Sequence, residues 1–390
     1  MRIVIAPDKF KGSLSASEAA SAMADGVRLA GVGADIDVCP MADGGEGTIE
    51  AVVANIGADQ RQAKVRGPLP GQEVLANWAY VHKNIGSAES GLIVTGETTA
   101  VLEMSQASGF CLVPEDRRDP MTTTTFGTGQ LIAAAMDAGC NQVIVGIGGS
   151  ATVDGGTGLA EALGYKFLDD RGNVLPGQGS SLGLIRKIDT SGRDPRIVST
   201  RFLVASDVDS PLTGAQGAAR VFGPQKGASP EQVDELDRGL ANLGRLIEEQ
   251  LGVEVLDLPG SGAAGGLGAG LAAFCGATIA SGVELVAAIT GLASRIKGAD
   301  LVLTGEGSYD SQTARGKTPA GVAAIAKEAG VPAIVVAGRI AQETAFAGLT
   351  SFCVLPGPVS LEEAMENARG FVVTGTARLI RLIAAFLASS

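Results

Sequence analysis

Residues 2–18 read RIVIAPDKFKGSLSASE: an apolar run, a polar loop with one glycine, then a serine followed three positions later by a glutamate. The run is short, β-branched and bounded by proline and charge, which is the pattern of a buried strand. Ser15 and Glu18 make a capping box, in which each side chain accepts the other residue's backbone N–H at the start of a helix. The next apolar run, ADIDVCPM (34–41), supplies a second strand, so the chain opens as a βαβ unit.

The alternation continues. A helix is expected over GTIEAVVANI up to Gly57, after which RGPLPGQEVLANWAYV (66–81) is broken by proline and glycine and then alternates. That break places a departure from the first unit near residue 70 and starts new, partly antiparallel strands. Helices are then expected at TGQLIAAAMDAG, GTGLAEALG, SPEQVDELDRGLANLGRLIEEQL, AAGGLGAGLAAFCG, ELVAAITGLASRI, TPAGVAAIAKEAG and GTARLIRLIAAFLA, and strands at QVIVGI, RFLVAS, ADLVLTG and PAIVVAG. Strand and helix joined by short loops imply an α/β fold with mostly parallel sheets. A length of 390 residues makes two domains the natural expectation.

Composition narrows the function classes. Nearly half the residues are hydrophobic, and the 56 glycines are about twice the usual share. The net charge of −12 argues against nucleic acid or an anionic membrane surface as partner. No apolar stretch approaches the roughly twenty residues of a membrane span, and MRIVIAPDKF turns to charge too soon for a signal peptide. Cys39, Cys111, Cys140, Cys275 and Cys353 are dispersed, with no C-x-x-C pair. They read as buried thiols in a reducing cytoplasm. The one histidine, His82, has no nucleophile signature beside it, so a surface or structural role is expected and the chemistry must run on carboxylates, lysines, arginines, hydroxyls and backbone amides.

In open α/β sheets ligands bind beyond the carboxyl ends of the strands. There the sequence places Asp8, Lys9, Lys11 and Ser13, then Asp43 and Glu46, then Ser150 and Asp154, then Asp207 and Asp209, then Glu306 and Asp310, and finally Arg339. Any one of these is an ordinary turn or capping residue. Several carboxylates and lysines at one sheet edge, lined by glycine, point instead to Mg²⁺ and phosphates.

Three further stretches invite a phosphate reading. TTTTFGTGQL (122–131), with Thr125 and Thr128, puts hydroxyls at a helix start, where free N–H groups attract anions. PGSGAAGGLGAGL (259–271) carries G-x-G-x-x-G at Gly260, Gly262 and Gly265, with Ser261 between; close packing by small residues is its bland alternative. A dinucleotide reading would need a firm strand before it, and EVLDLP is a weak one. RGKTPAG (315–321) ends like a P-loop, but Ser311 stands where the leading glycine should be and the preceding strand ends roughly ten residues too early. Lys317 remains a candidate anion ligand at a helix N-terminus.

Taken together, APDKFKGSLSA (6–16), MADGGEGT (41–48), RDPMTTTTFGTGQLI (118–132), GIGGSATVDGGTG (146–158), SDVDSPLTGAQGAARVFGPQKGA (206–228), PGSGAAGGLGAGL and TGEGSYDSQTARGKTPAGVA (304–323) resemble the bacterial glycerate kinases over essentially the whole chain. Ser210 stands where that family is expected to have Asn, and Ser308-Tyr309 replaces a more usual basic and aliphatic pair. The resemblance implies ATP-dependent phosphorylation of D-glycerate with Mg²⁺, at the 2-hydroxyl, giving 2-phosphoglycerate. It also implies two α/β domains, one discontinuous (1–70 plus 295–390) and the other inserted in it (71–294), with the active site in the cleft between. On that reading Lys9 and Lys11 neutralise the phosphate, and Asp43 with Asp207 or Asp209 holds the metal or orients the hydroxyl. Glu306 and Asp310 are further metal or base candidates. Arg315, Lys317 or Arg339 grips the substrate carboxylate, a task suited to bidentate arginine. An NAD-dependent oxidoreductase and a non-catalytic binder of anionic metabolites are the rival readings, and the sequence leaves the oligomeric state open.

Overall fold

The computed structural model describes residues 1–82, 97–310, 317–341 and 349–388. The chain begins with strands β1 (Arg2–Ile5) and β2 (Asp35–Val38), then moves to a second sheet with β3 (Asp59–Arg66), β4 (Glu73–Val81), β5 (Thr99–Glu103) and β6 (Gln142–Gly146). Three short strands, β7 (Lys166–Leu168), β8 (Val174–Leu175) and β9 (Lys187–Asp189), make a separate antiparallel ribbon. β10 (Arg201–Ala205) and β11 (Thr278–Ala280) complete the second sheet, and β12 (Leu301–Tyr309), β13 (Ala333–Ile340) and β14 (Ser351–Cys353) return to the first.

The first sheet is wholly parallel, in the order β14-β13-β12-β1-β2. Counted within that sheet this is the doubly wound order 2-1-3-4-5, whose strand order reverses between β1 and β12. The second sheet, β11-β10-β6-β5-β4-β3, is parallel from β11 to β5 and antiparallel at its β4 and β3 edge. The expected α/β class with mostly parallel sheets is therefore what forms.

Successive side chains of β1 point to opposite faces. Ile3 and Ile5 pack against the helices Ala16–Ala30 and Ala368–Ala388, while Val4 and Ala6 pack against Gly282–Thr290 and Thr318–Glu328. The helix Gly282–Thr290 serves both sheets: Val283 and Val286 face the first, and Leu285 and Ile289 face Val101, Ile144 and Leu203 of the second. It is a wedge between the two, and its start defines where their strand ends meet.

The Ser15 capping box forms as expected, and a second one forms at Ser229 and Gln232. Neither β3 nor β5 was expected, nor were β7, β8, β9, β11 and β14, which are only two or three residues long. β3, DQRQAKVR, is an edge strand with one solvent face and no apolar run, and β5, TAVLE, is short although fully buried. EVLDLP forms no strand.

The C-terminal helix is long and apolar enough to cross a membrane by length and composition. Here it lies along Ala16–Ala30, with Arg369 paired to Asp25 at 2.6 Å and Arg381 donating to the Leu29 carbonyl at 2.9 Å. Among the cysteines Cys39, Cys140 and Cys275 are buried, but Cys111 is exposed, contrary to the expectation for all five. His82 lies at the surface, 2.9 Å from Asp59.

Candidate active site

The loop after β1 turns its charged residues toward the second sheet. Asp8 is buried; its Oδ1 accepts the Lys9 backbone N–H at 2.6 Å and its Oδ2 accepts the Thr318 hydroxyl at 2.7 Å. Lys9 Nζ donates to the Glu46 carbonyl at 2.9 Å and lies 3.7 Å from Asp8 Oδ1 and 3.9 Å from Asp43 Oδ1. Burial acts to lower the Lys9 pKa, but Asp8, Asp43, Glu46 and Glu103 together hold it above the ordinary value, so the ammonium stays charged. Burial raises the pKa of Asp8.

Asp207 arrives from the other sheet, two residues past β10. Its Oδ1 accepts the Gly282 N–H at 3.0 Å, at the start of the wedge helix, while Oδ2 is buried without a hydrogen-bond partner. Burial first, and then the negative charge of Asp43, push its pKa up to about 6 against hydrogen bonding from Ser281. An orphaned carboxylate oxygen costs about 1–3 kcal/mol, so its presence marks a group kept for something other than stability.

Bare backbone brings these acids together. A Cβ on Gly282 would stand 2.0 Å from the Asp43 carbonyl oxygen, and one on Gly44 would stand 2.7 Å from that of Ala205, at the end of β10. Only glycine allows the Asp43 loop to lie this close to the strand ends of the second sheet.

Glu103 is the functional neighbour the sequence reading missed. It is 2% exposed. Its Oε1 accepts the N–H groups of Gly47 (3.1 Å) and Ile49 (2.8 Å), capping the helix Thr48–Ile56 and fixing the loop that holds Asp43 and Glu46. The signal was an acid closing the apolar run TAVL, the same pattern as at the other strand ends.

Other expected site residues fall elsewhere. Lys11, Ser13 and Arg339 surround a cavity beyond the first sheet. Glu306 lies within β12, Asp310 follows it, and Lys317 directly precedes Thr318. Asp209 is exposed on the loop after β10, and Arg315 lies outside the described residues.

Thr125 and Thr128 are fully buried. The Thr125 N–H and hydroxyl both donate to Asp154 Oδ2, at 2.7 and 2.8 Å, and the Thr128 hydroxyl pairs with Ser108 at 2.9 Å. Asp154 also accepts the N–H groups of Gly156 and Gly158, so one carboxylate ties two helix starts together. Ser150 accepts from Lys226 Nζ at 2.6 Å; burial lowers that lysine's pKa to about 7, against the field of Asp154.

The glycines at 260–265 pack rather than cradle. A Cβ on Gly262 would stand 2.0 Å from the Pro211 carbonyl oxygen, and one on Gly265 equally close to that of Thr152. The Ser261 hydroxyl is buried without a partner. With no strand before it, the G-x-G-x-x-G lacks the setting of a dinucleotide site.

Among the described residues no three metal-ligating side chains assemble, so Asp43, Asp209, Glu306 and Asp310 do not form a ready cage. Asp43 nonetheless fits Mg²⁺, with Asp207 beside it. They are hard oxygen donors near enough for one charge to raise the other's pKa, and Mg²⁺ is held by one or two carboxylates plus phosphates.

A charged lysine ringed by acids, at the reversal point of a doubly wound sheet and facing the strand ends of a second sheet, is a setting for an enzyme acting on a small anionic substrate. Comparison with known proteins makes this specific. Residues 3–384 match the model of the glycerate kinase family. The chain is 47% identical to a glycerate kinase of Halalkalibacterium halodurans over 94% of its own length and 93% of that protein's. It is 45% identical to the glycerate 2-kinase of Escherichia coli, over 94% of each chain. A crystal structure described as glycerate kinase 2 from Salmonella typhimurium LT2 superposes with a TM-score of 0.84 at 44% identity, covering 99% of both chains. The chain belongs to the glycerate kinase family and is a kinase.

Proposed function

We propose that the protein transfers the γ-phosphoryl group of ATP to the 2-hydroxyl of D-glycerate, giving 2-phosphoglycerate and ADP, with Mg²⁺ and in the cytoplasm. The observation that carries the reading is the meeting of Lys9, Asp43 and Asp207 from two sheets. The name of the Escherichia coli relative supports the choice of hydroxyl. β3 pairs with β4 of the second sheet, so the first crossing lies ahead of it and not near residue 70, and we assign residues 1–58 plus 295–390 and 59–294 to two domains.

Asp43 would hold Mg²⁺, which would supply charge neutralisation at the phosphate oxygens, and Asp207 is left free to act as the base. Lys9, held protonated, balances the negative charge of the phosphoryl group in flight. Asp207 takes the proton of the 2-hydroxyl as its oxygen forms the new bond to phosphorus and the β–γ bridging bond breaks, leaving ADP. A carboxylate with a pKa near 6 is ionised at neutral pH yet basic enough to accept that proton. Asp8 is a positioning residue, anchoring Lys9 to the helix that starts at Thr318. Lys317, beside that helix start, contacts the substrate carboxylate.

A coupled assay of ADP release with ATP and D-glycerate tests the proposal against hydride transfer. ADP formation dependent on D-glycerate supports it. NAD reduction without ADP formation supports the oxidoreductase instead, and ligand-dependent stabilisation with neither product supports a non-catalytic binder.

A further inference from the structure

The Lys9 cluster leaves a concavity at the end of the first sheet unused. Beyond the carboxyl ends of β12, β13 and β14 a cavity of about 700 Å³ opens between the loop after β1 and the helices Leu361–Glu366 and Ala368–Ala388. Its wall is mainly apolar, with Phe10, Ile340, Val354, Met365 and Phe371, and its charged groups among the described residues are Lys11 and Arg339. The volume lies within the range of small-molecule sites. D-glycerate, a three-carbon hydroxy acid, would leave most of it empty and gain nothing from its apolar wall.

We infer that this cavity binds the nucleoside of the ATP, with the triphosphate drawn by Lys11 and Arg339 toward Lys9. The inference rests on ATP being the phosphoryl donor. Location is the first argument: Phe10 and Lys11 come from the loop after β1 and Gly307 and Ser308 from the end of β12, the pair of strands between which the order reverses. Connection is the second. Lys11 lines the cavity and Lys9 reaches the acids, so one loop spans both, with Phe10 between them buried in the core. Charge and exposure are the third. In a chain of net charge −12 the two charged groups among the described residues that line the cavity are both cations, while Leu361 and Met365 stay 76% and 38% exposed at its edge. A purine ring would cover that apolar surface, and the cations would meet the phosphates.

The test is isothermal titration of the full chain with the non-hydrolysable analogue AMP-PNP plus Mg²⁺, and separately with adenosine. The proteins are wild type, Ala364→Trp, which fills the cavity from a half-buried position, and Arg339→Ala, at an exposed side chain. Ala364→Trp is expected to weaken both ligands at least tenfold and to raise the KM for ATP with the KM for D-glycerate within twofold. Arg339→Ala is expected to weaken AMP-PNP about tenfold and leave adenosine unchanged, a split that misfolding cannot produce. Equal AMP-PNP binding by all three proteins overturns the inference while the donor reading stands. A rise in the KM for D-glycerate alone in Arg339→Ala overturns the assignment of that arginine to phosphate. Absence of any adenine-nucleotide binding or turnover in the wild type overturns the donor reading and the inference with it.

Discussion

Asp207 has two roles that pull against each other. As a base it must be ionised, yet burial and Asp43 hold its pKa near 6, so the folded state resists its charge. Its folded-state pKa lies above the unfolded value, so the folded protein binds the proton more tightly and stability falls as pH rises from about 4 to above about 6. Asp207→Asn removes that cost. The variant is expected to melt higher than wild type at pH 8, by an amount that shrinks through this window and is gone by pH 4, while kcat falls at least a hundredfold. In the wild type kcat/KM should rise with pH through about 6 and then level off. A wild-type profile flat between pH 5 and 8 would contradict the role as base. Lys9→Ala should lower kcat by about a hundredfold or more, the order of losing one charge-stabilising donor, with the circular dichroism spectrum unchanged; near-normal kcat would place the phosphate elsewhere.

At the scale of elements, the helix Gly282–Thr290 sets the distance between Asp43 and Asp207. A methyl group at position 282 has no room against the Asp43 carbonyl, so Gly282→Ala must push the loop and the helix start apart. Overpacking of this kind costs about 1–3 kcal/mol, and kcat should fall together with the melting temperature. Gly31→Ala is the control: its φ of 76° makes it costly by about 1 kcal/mol, but nothing lies near its Cβ and kcat should be kept. Equal kcat losses in the two variants would show that the close approach is not what matters.

Much of this scale was legible in the sequence. The cap at Ser15 and the apolar runs of β1, β6, β10, β12 and β13 signal themselves through local chemistry. β3 did not, because an edge strand facing solvent needs no apolar alternation. Missing β5 concealed Glu103 as well. The run PGSGAAGGLGAGL was ambiguous, since glycine serves a phosphate cradle and a tight helix contact equally. Only the carbonyl oxygens of Pro211 and Thr152 pressing on it decide for packing.

At the scale of the whole molecule, residues from the two ends and the middle of the chain meet where two sheets present their strand ends. The rule that ligands bind beyond those ends located Lys9, Asp43 and Asp207 without any knowledge of the distances between them. It did not separate residues facing the cluster from those turned into the second unit, such as Thr125 and Ser150, because side-chain direction depends on packing that no local pattern encodes. The central claim is transfer of phosphate from ATP to the 2-hydroxyl of D-glycerate, and one ³¹P NMR spectrum of the protein's product tests it most directly. The account predicts a phosphomonoester resonance split into a doublet by the single proton on C2, together with ADP. A triplet from the two protons on C3, marking 3-phosphoglycerate, or no new phosphomonoester signal at all, would contradict it.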